Sequence, residues 1–208
     1  MKRQSKEATA VIGMWLSMLL LTGTAARSDN AVETVIFVRH GEKPHNGLGQ
    51  LNCQGLNRAL ALPSVIAKTF GRPDAIFAPD PDEQVKSAEE RFDYVRALAT
   101  IEPTAISFGL PVNARIGVSN RDALQDEIEQ PAYRNARVLI AWEHKSIEAT
   151  ARALLAAHGA DAAVVPKWDS HDFDSIYVVT ITSVGVTRKA AFALMHQGLN
   201  GQKETCPQ

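Results

Sequence analysis

The sequence predicts an α/β fold, a three-layer sandwich in which a mostly parallel sheet lies between helices on both faces. Two observations carry this. After residue 30, short β-branched or apolar runs alternate with helical stretches, as repeated βαβ units require. The runs Thr34-Val35-Ile36-Phe37-Val38, Ala75-Ile76-Phe77-Ala78 and Val138-Leu139-Ile140-Ala141-Trp142 show no polar alternation, the pattern of strands covered on both faces. A composition of 45% hydrophobic and 22% charged residues suits one globular domain, here 31–208.

Taken in order, the chain begins with a basic start (Lys2, Arg3, Lys6), an apolar run from Val11 to Leu21 and the small residues Gly23-Thr24-Ala25-Ala26. This is a secretory signal pattern over 1–26, so the domain is expected outside the cytoplasm, periplasmic or secreted, with no stable membrane anchor after cleavage. The alternative is a retained anchor over the uncharged span 8–26, although its strongly apolar heart is short. Removing 1–26 leaves 19 Lys and Arg against 22 Asp and Glu, a net of −3. A mildly acidic chain without a basic block has no electrostatic footprint for nucleic acid. Cys53 and Cys206 are too few for a zinc site or a CxxC pair; in an oxidising compartment they either join the tail to the first loop or stay free.

The first buried strand ends at Arg39-His40-Gly41. Gln54 to Phe70 is helical in composition, and Pro63 predicts a kink or the start of a second helix, because proline lacks the donor and fits best in a first turn. Glu89 to Ala99 places Phe92, Val95 and Leu98 on one helical face. Ser119 to Asp122 predicts a capped helix start running to about Glu129. The late strand ends at Glu143-His144, and Ser146 predicts the cap of a helix bearing Ile147, Ala151, Leu154, Leu155 and His158, closed by a left-handed Gly159. Ile176 to Thr182 reads as a further strand, and His158 and His196 fall on helical patterns as structural or exposed residues. Lys43 to Gln50, Pro79 to Lys86 and Pro166 to Ser175 read as surface loops.

Ligands of open α/β sheets bind beyond the carboxyl ends of the strands, where both His40 and His144 fall. Arg39-His40-Gly41, placed after a buried first strand, resembles the Arg-His-Gly signature of the histidine phosphatase (phosphoglycerate mutase-like) superfamily. Asn46 follows at the spacing of many members, and Leu51-Asn52-Cys53-Gln54-Gly55 resembles the stretch that opens their first helix. Arg96 stands four residues before Thr100, as the second arginine of that family does, and Val138 to His144 supplies its second histidine. The resemblance covers 34 to 182 and implies a phosphoglycerate mutase-like fold. It also implies a phosphomonoesterase that forms a phosphohistidine on His40, needs no metal or other cofactor, and acts on a phosphorylated small molecule. Arg39, Arg96 and His144 would surround the phosphate and Asn46 would contact substrate; read from the sequence itself, Lys43 and Lys145 either add positive charge at the rim or are simply solvated.

The chemistry is coherent in its own terms. A neutral imidazole is a good nucleophile near pH 7, and charge spread over three phosphoryl oxygens is stabilised by two guanidiniums and a protonated His144. The general acid is unassigned, because Lys145 stands where one branch of the family has an aspartate and Gly109 to Ala123 offers only Asp122. Glu42, Asp122 and Glu143 are the candidates, Glu143 being handicapped because adjacent strand residues face opposite ways. This gap motivates an alternative, a non-catalytic or weakly active phosphate-binding or regulatory protein that retains the anion pocket. A third reading, metal-dependent hydrolysis by His171 and neighbouring acids, has a spacing that matches no EF-hand or zinc pattern.

Overall fold

Val35 to Val38 are wholly buried and form the middle of the first strand, β1 (Ala31–Arg39). The structure, a computed structural model, describes residues 30–87 and 89–208, so the signal and anchor readings lie outside the described residues. In chain order β1 is followed by α1 (Cys53–Thr69), β2 (Ala75–Pro79), the hairpin β3 (Gln84–Ser87) and β4 (Glu90–Asp93), and α2 (Arg96–Phe108). Then come β5 (Val112–Ile116), α3 (Arg121–Ile128), β6 (Arg137–Trp142), α4 (His144–Ala157), β7 (Ser175–Val184) and β8 (Thr187–His196).

The central sheet has six strands in the order β5-β2-β6-β1-β7-β8. The pairs β1/β6, β2/β6 and β2/β5 are parallel, while β7 and β8 add an antiparallel hairpin beside β1. Right-handed crossovers put α1 and α2 on one face and α3 and α4 on the other, in keeping with the packing of α1 on α2 and of α3 on α4. The expected layers are therefore present. Among the described residues no helix is long and apolar enough to cross a membrane.

Four local expectations are corrected. Pro63 neither breaks nor divides α1, which runs unbroken over 53–69 and buries Ala59, Leu62 and Ile66; tertiary packing of that stripe outweighs the missing N–H. The predicted helix over Glu89 to Ala99 is divided, since Glu90–Asp93 pairs with Gln84–Ser87 as a hairpin and α2 begins only at Arg96. Ser146 is not the cap of α4: the helix begins at His144, and Glu143 caps it by accepting from the Ser146 N–H at 3.0 Å. His196 ends a strand rather than a helix; the Ala-, Leu- and Met-rich stretch Ala190 to Met195 pairs with β7 after a turn at Gly185, whose φ is 60°.

Cys53 and Cys206 form a disulfide across a separation of 153 residues. Closing so long a loop contributes about 5 kcal/mol in the chain-entropy account. The tail is also fixed by Asn57, whose Nδ2 donates to the carbonyls of Lys203 and Thr205 at 2.8 and 2.9 Å.

Candidate active site for a phosphoryl group

The site begins as a consequence of register. In the parallel pair β1/β6, Arg39 stands beside Trp142, and the His40 N–H donates to the Trp142 carbonyl at 3.1 Å. Both strands stop there, so His40 and Glu143-His144 emerge at one carboxyl edge of the sheet. Arg96 reaches the same place from the N-terminus of α2. Its backbone N–H donates to the Gly49 carbonyl, and the hydroxyl of Thr100 bridges, donating to the Arg96 carbonyl and accepting from the Gly41 N–H, at 2.8 and 2.9 Å. The spacing of arginine and threonine thus has a geometric purpose: one helical turn ties the arginine to the loop after the histidine.

That loop lies against the start of α1. Asn52 caps the helix through Gly55 N–H at 2.8 Å, and its own N–H donates to the Glu42 carbonyl at 3.0 Å. A Cβ on Gly41 would sit 2.9 Å from the Gly55 carbonyl oxygen, and one on Gly55 would strike the backbone of Glu42, so both glycines are required by close approach of the two backbones.

His40 is 2% exposed. Its Nδ1 lies 2.8 Å from the Gly41 carbonyl, which fixes the proton on Nδ1 and leaves Nε2 with a free lone pair. Burial, the nearby guanidinium of Arg96, and to a smaller degree Arg39 and His144 hold the imidazole pKa well below its ordinary value of 6.5, against the opposing Gly41 hydrogen bond. The ring packs against Tyr94 and Phe173 at centroid distances of 6.1 and 6.0 Å.

Both guanidiniums lie over aromatic rings, Arg39 over Phe173 at 3.9 Å and Arg96 over Tyr94 at 4.2 Å. Nη1 of Arg39 donates to the carbonyls of Ser170 and Asp172 at 2.8 and 2.9 Å. Among the described residues, Nε of Arg39 and both Nε and Nη1 of Arg96 are buried with no protein acceptor. Buried charged donors left open in this way call for an anion. Lys43 lines a cavity of about 370 Å³ with Arg39 and Phe173. Partial burial, reinforced by Arg96 and Arg39, pushes its ammonium below the usual lysine range.

His144, the first residue of α4, has Nδ1 2.7 Å from Oε1 of Glu143. Burial alone would raise the Glu143 carboxyl, but His144 and the N–H groups of Ser146 and Lys145 outweigh it and hold the group below the ordinary carboxylate value. The strand-alternation argument against Glu143 does not apply, because the residue caps a helix. Glu42 is committed elsewhere: Arg58 grips it through Nε and through Nη2, the latter at 2.7 Å. Asp122 is exposed on α3 and lines a different cavity with Gln125 and Ala153. Asn46 is exposed in the turn after Pro44, and among the described residues its side chain makes no hydrogen bond to the cluster. Among the described residues no group of three or more His, Cys, Asp or Glu side chains converges as metal ligands, and His171 stands with Asp169 alone.

Tyr94, Phe173 and Arg58 have roles here that sequence reading missed, while Thr100 was read only through its spacing from Arg96. Only Arg58 left a signal, because it shares the buried stripe of α1 with Gly55, Leu62 and Ile66.

Solved structures supply the comparison. The chain is similar to a candidate phosphohistidine phosphatase, SixA, from Nakamurella multipartitia (TM-score 0.53, 14% identity, covering 80% of this chain and 96% of that one). It is similar to mycobacterial glucosyl-3-phosphoglycerate phosphatase in complex with inorganic phosphate (TM-score 0.52, 15% identity, 77% and 95% covered). It also resembles a phosphoglycerate mutase from Plasmodium falciparum (TM-score 0.50, 11% identity, 79% and 90% covered). No family sequence model matches the chain, and no curated protein matches it in sequence. What these likenesses share with the chain is the fold.

Proposed function

We propose that this chain, which has the fold of the histidine phosphatase superfamily, is an exported phosphomonoesterase that works through a phosphohistidine on His40. One observation carries the reading: a buried imidazole with a free Nε2 stands among guanidinium N–H groups that have no partner. In the first step Nε2 of His40 attacks phosphorus, the bond to the leaving oxygen breaks, and that oxygen takes a proton from His144. In the second, water attacks the phosphohistidine, its proton passes to His144, and the N–P bond breaks to release phosphate and neutral His40. Glu143, whose carboxyl is held below its ordinary value, stands beside Nδ1 of His144 and orients the ring for both proton transfers. Arg39, Arg96 and Lys43 hold the phosphoryl oxygens, and none of the proposed steps is routed through a metal. Export is supported by the signal pattern at the N-terminus and by the disulfide.

The direct test is to quench wild-type protein during turnover of a labelled phosphomonoester. An acid-labile, base-stable phosphoryl adduct at His40 is expected; steady turnover without any adduct would refute the covalent route. A second reading is favoured by one specific finding: Glu42 is held by Arg58, Asp122 lines a different cavity, and the Glu143 carboxyl is held below its ordinary value, so no acidic candidate is placed as a proton donor. On that reading the protein binds phosphate but forms no adduct and releases no product.

The depressed imidazole gives a pH signature. A histidine whose pKa lies well below 6.5 stays neutral as pH falls, so its nucleophilicity persists on the acid side. With the ionisation of the substrate phosphate divided out, kcat/KM should hold its neutral value at pH 6 and fall only below it. An acid limb centred at pH 6.5 or higher would mean that another group is the nucleophile.

A further inference from the structure

The edge of the sheet opposite His40 carries a surface that neither the fold nor the proposed chemistry explains. β1 begins there at Ala31, which pairs with Ser183, and β7 turns into β8 through Gly185 and Val186. Three valines stand uncovered on this edge: Val32 is 45% exposed, Val184 54%, and Val186, in the turn itself, is fully exposed. Register sets Val32 opposite Thr182 and Val184 opposite Thr187, so these four residues share one face of the sheet with Lys189. Thr182, Val184, Thr187 and Lys189 line a depression of about 360 Å³ there. A single exposed valine is ordinary on a surface. Three at one strand end, two of them bracketing a tight turn where polar residues are the rule, form a patch that calls for a partner.

The chain that enters at this edge says what the partner is. Residues 8–26 carry no charge over a length just sufficient to cross a bilayer, and Lys2, Arg3 and Lys6 precede them. That bias keeps the N-terminus in the cytoplasm and sends the domain across, in keeping with export. Ala31 follows Ala26 so soon that the link reaches at most about 18 Å. A bilayer holding 8–26 therefore lies against the edge that bears the valines.

We infer that residues 8–26 stay in the bilayer and that the 184–186 turn docks the domain on the lipid surface. The apolar heart of the segment is short for a span, and a few valines alone bind a membrane only marginally, so the two contacts reinforce each other. The nine residues of β1 hold His40 about 25–30 Å from the docked edge. The phosphate cluster thus opens away from the membrane, toward dissolved substrate. Docking occupies the far ends of the strands and is independent of the chemistry at His40.

The test uses the full chain, exported during expression, with Val186→Cys carrying an environment-sensitive fluorophore; the two native cysteines are joined to each other and do not compete for the label. The intact chain, residues 1–26 included, should sediment with the membrane fraction. After reconstitution into phosphatidylcholine vesicles, lipid-borne nitroxide should quench the probe at 186 about threefold more than a probe at His45→Cys on the catalytic edge. Adding Val184→Asp to the Val186→Cys chain should abolish that difference while the chain stays in the membrane. Release of a soluble domain lacking residues 1–26 overturns the docking, as does equal quenching at 186 and 45. A difference that withstands Val184→Asp overturns it too, since tethering alone would then account for the quenching. The phosphohistidine trap, run on the same preparation, bears only on the phosphatase reading.

Discussion

His40→Ala is expected to abolish turnover while leaving the fold and phosphate binding in place. The imidazole has a tautomer that leaves Nε2 with a free lone pair, and its depressed pKa keeps it neutral at pH 7. Removing a covalent nucleophile costs about 10³-fold or more in kcat, because nothing else can form the intermediate. The structural cost is smaller. The ring's one hydrogen bond goes to the carbonyl of the next residue, and its packing partners Tyr94 and Phe173 are held independently by Arg96 and Arg39. Truncation should therefore cost about 1–3 kcal/mol, an ordinary core substitution. Calorimetric binding of inorganic phosphate should persist through Arg39 and Arg96. A variant that keeps even a tenth of wild-type activity would remove His40 from the chemistry.

The legible parts of the molecule are those in which one physical demand dominates. β1 and β6 were readable because a strand buried on both faces has to be apolar at every position, and Val35 to Val38 and Val138 to Trp142 are. The meeting of His40 with His144 follows from strand ends in a parallel sheet, which needs no knowledge of side-chain contacts. Failures came where two demands competed. Phe92 and Val95 carry a helical spacing, but the N-terminus of α2 is set by the Arg96 N–H to the Gly49 carbonyl and by the Tyr94 N–H to the carbonyls of Pro81 and Glu83. These are long-range bonds invisible to a local pattern. β8 has helix-favouring residues and is a strand because β7 offers a free edge beside it. The general acid was illegible for a different reason. Whether Glu42 or Glu143 is available depends on which side chain each carboxylate meets, and Arg58 and His144 decide that only in three dimensions.

Arg58→Met should be the most destabilising single substitution in the domain. The side chain is 1% exposed and meets four partners: Glu42 in the loop after His40, Asp174 at the start of β7, and Gln197 and Asn200 in the tail. It therefore joins the nucleophile loop, α1, the end of the 166–174 loop and the C-terminal segment through one guanidinium. Methionine fills much of the volume but leaves two buried carboxylates facing each other without a cation, a loss of about 3–5 kcal/mol when one member of a buried pair is removed. Asp174 keeps its bonds from the Gly198 and Leu199 N–H groups at 3.1 and 2.7 Å, whereas Glu42 keeps nothing comparable. The melting temperature should accordingly fall by about 10 °C or more. Adding Glu42→Leu to Arg58→Met should recover part of that loss, because the orphaned charge goes with it. Glu42 lies two residues from His40, so the single variant should lose activity below its melting point, and the double variant should regain order without regaining full rate. A melting temperature within about 2 °C of wild type for Arg58→Met would show that the network does not hold the loop.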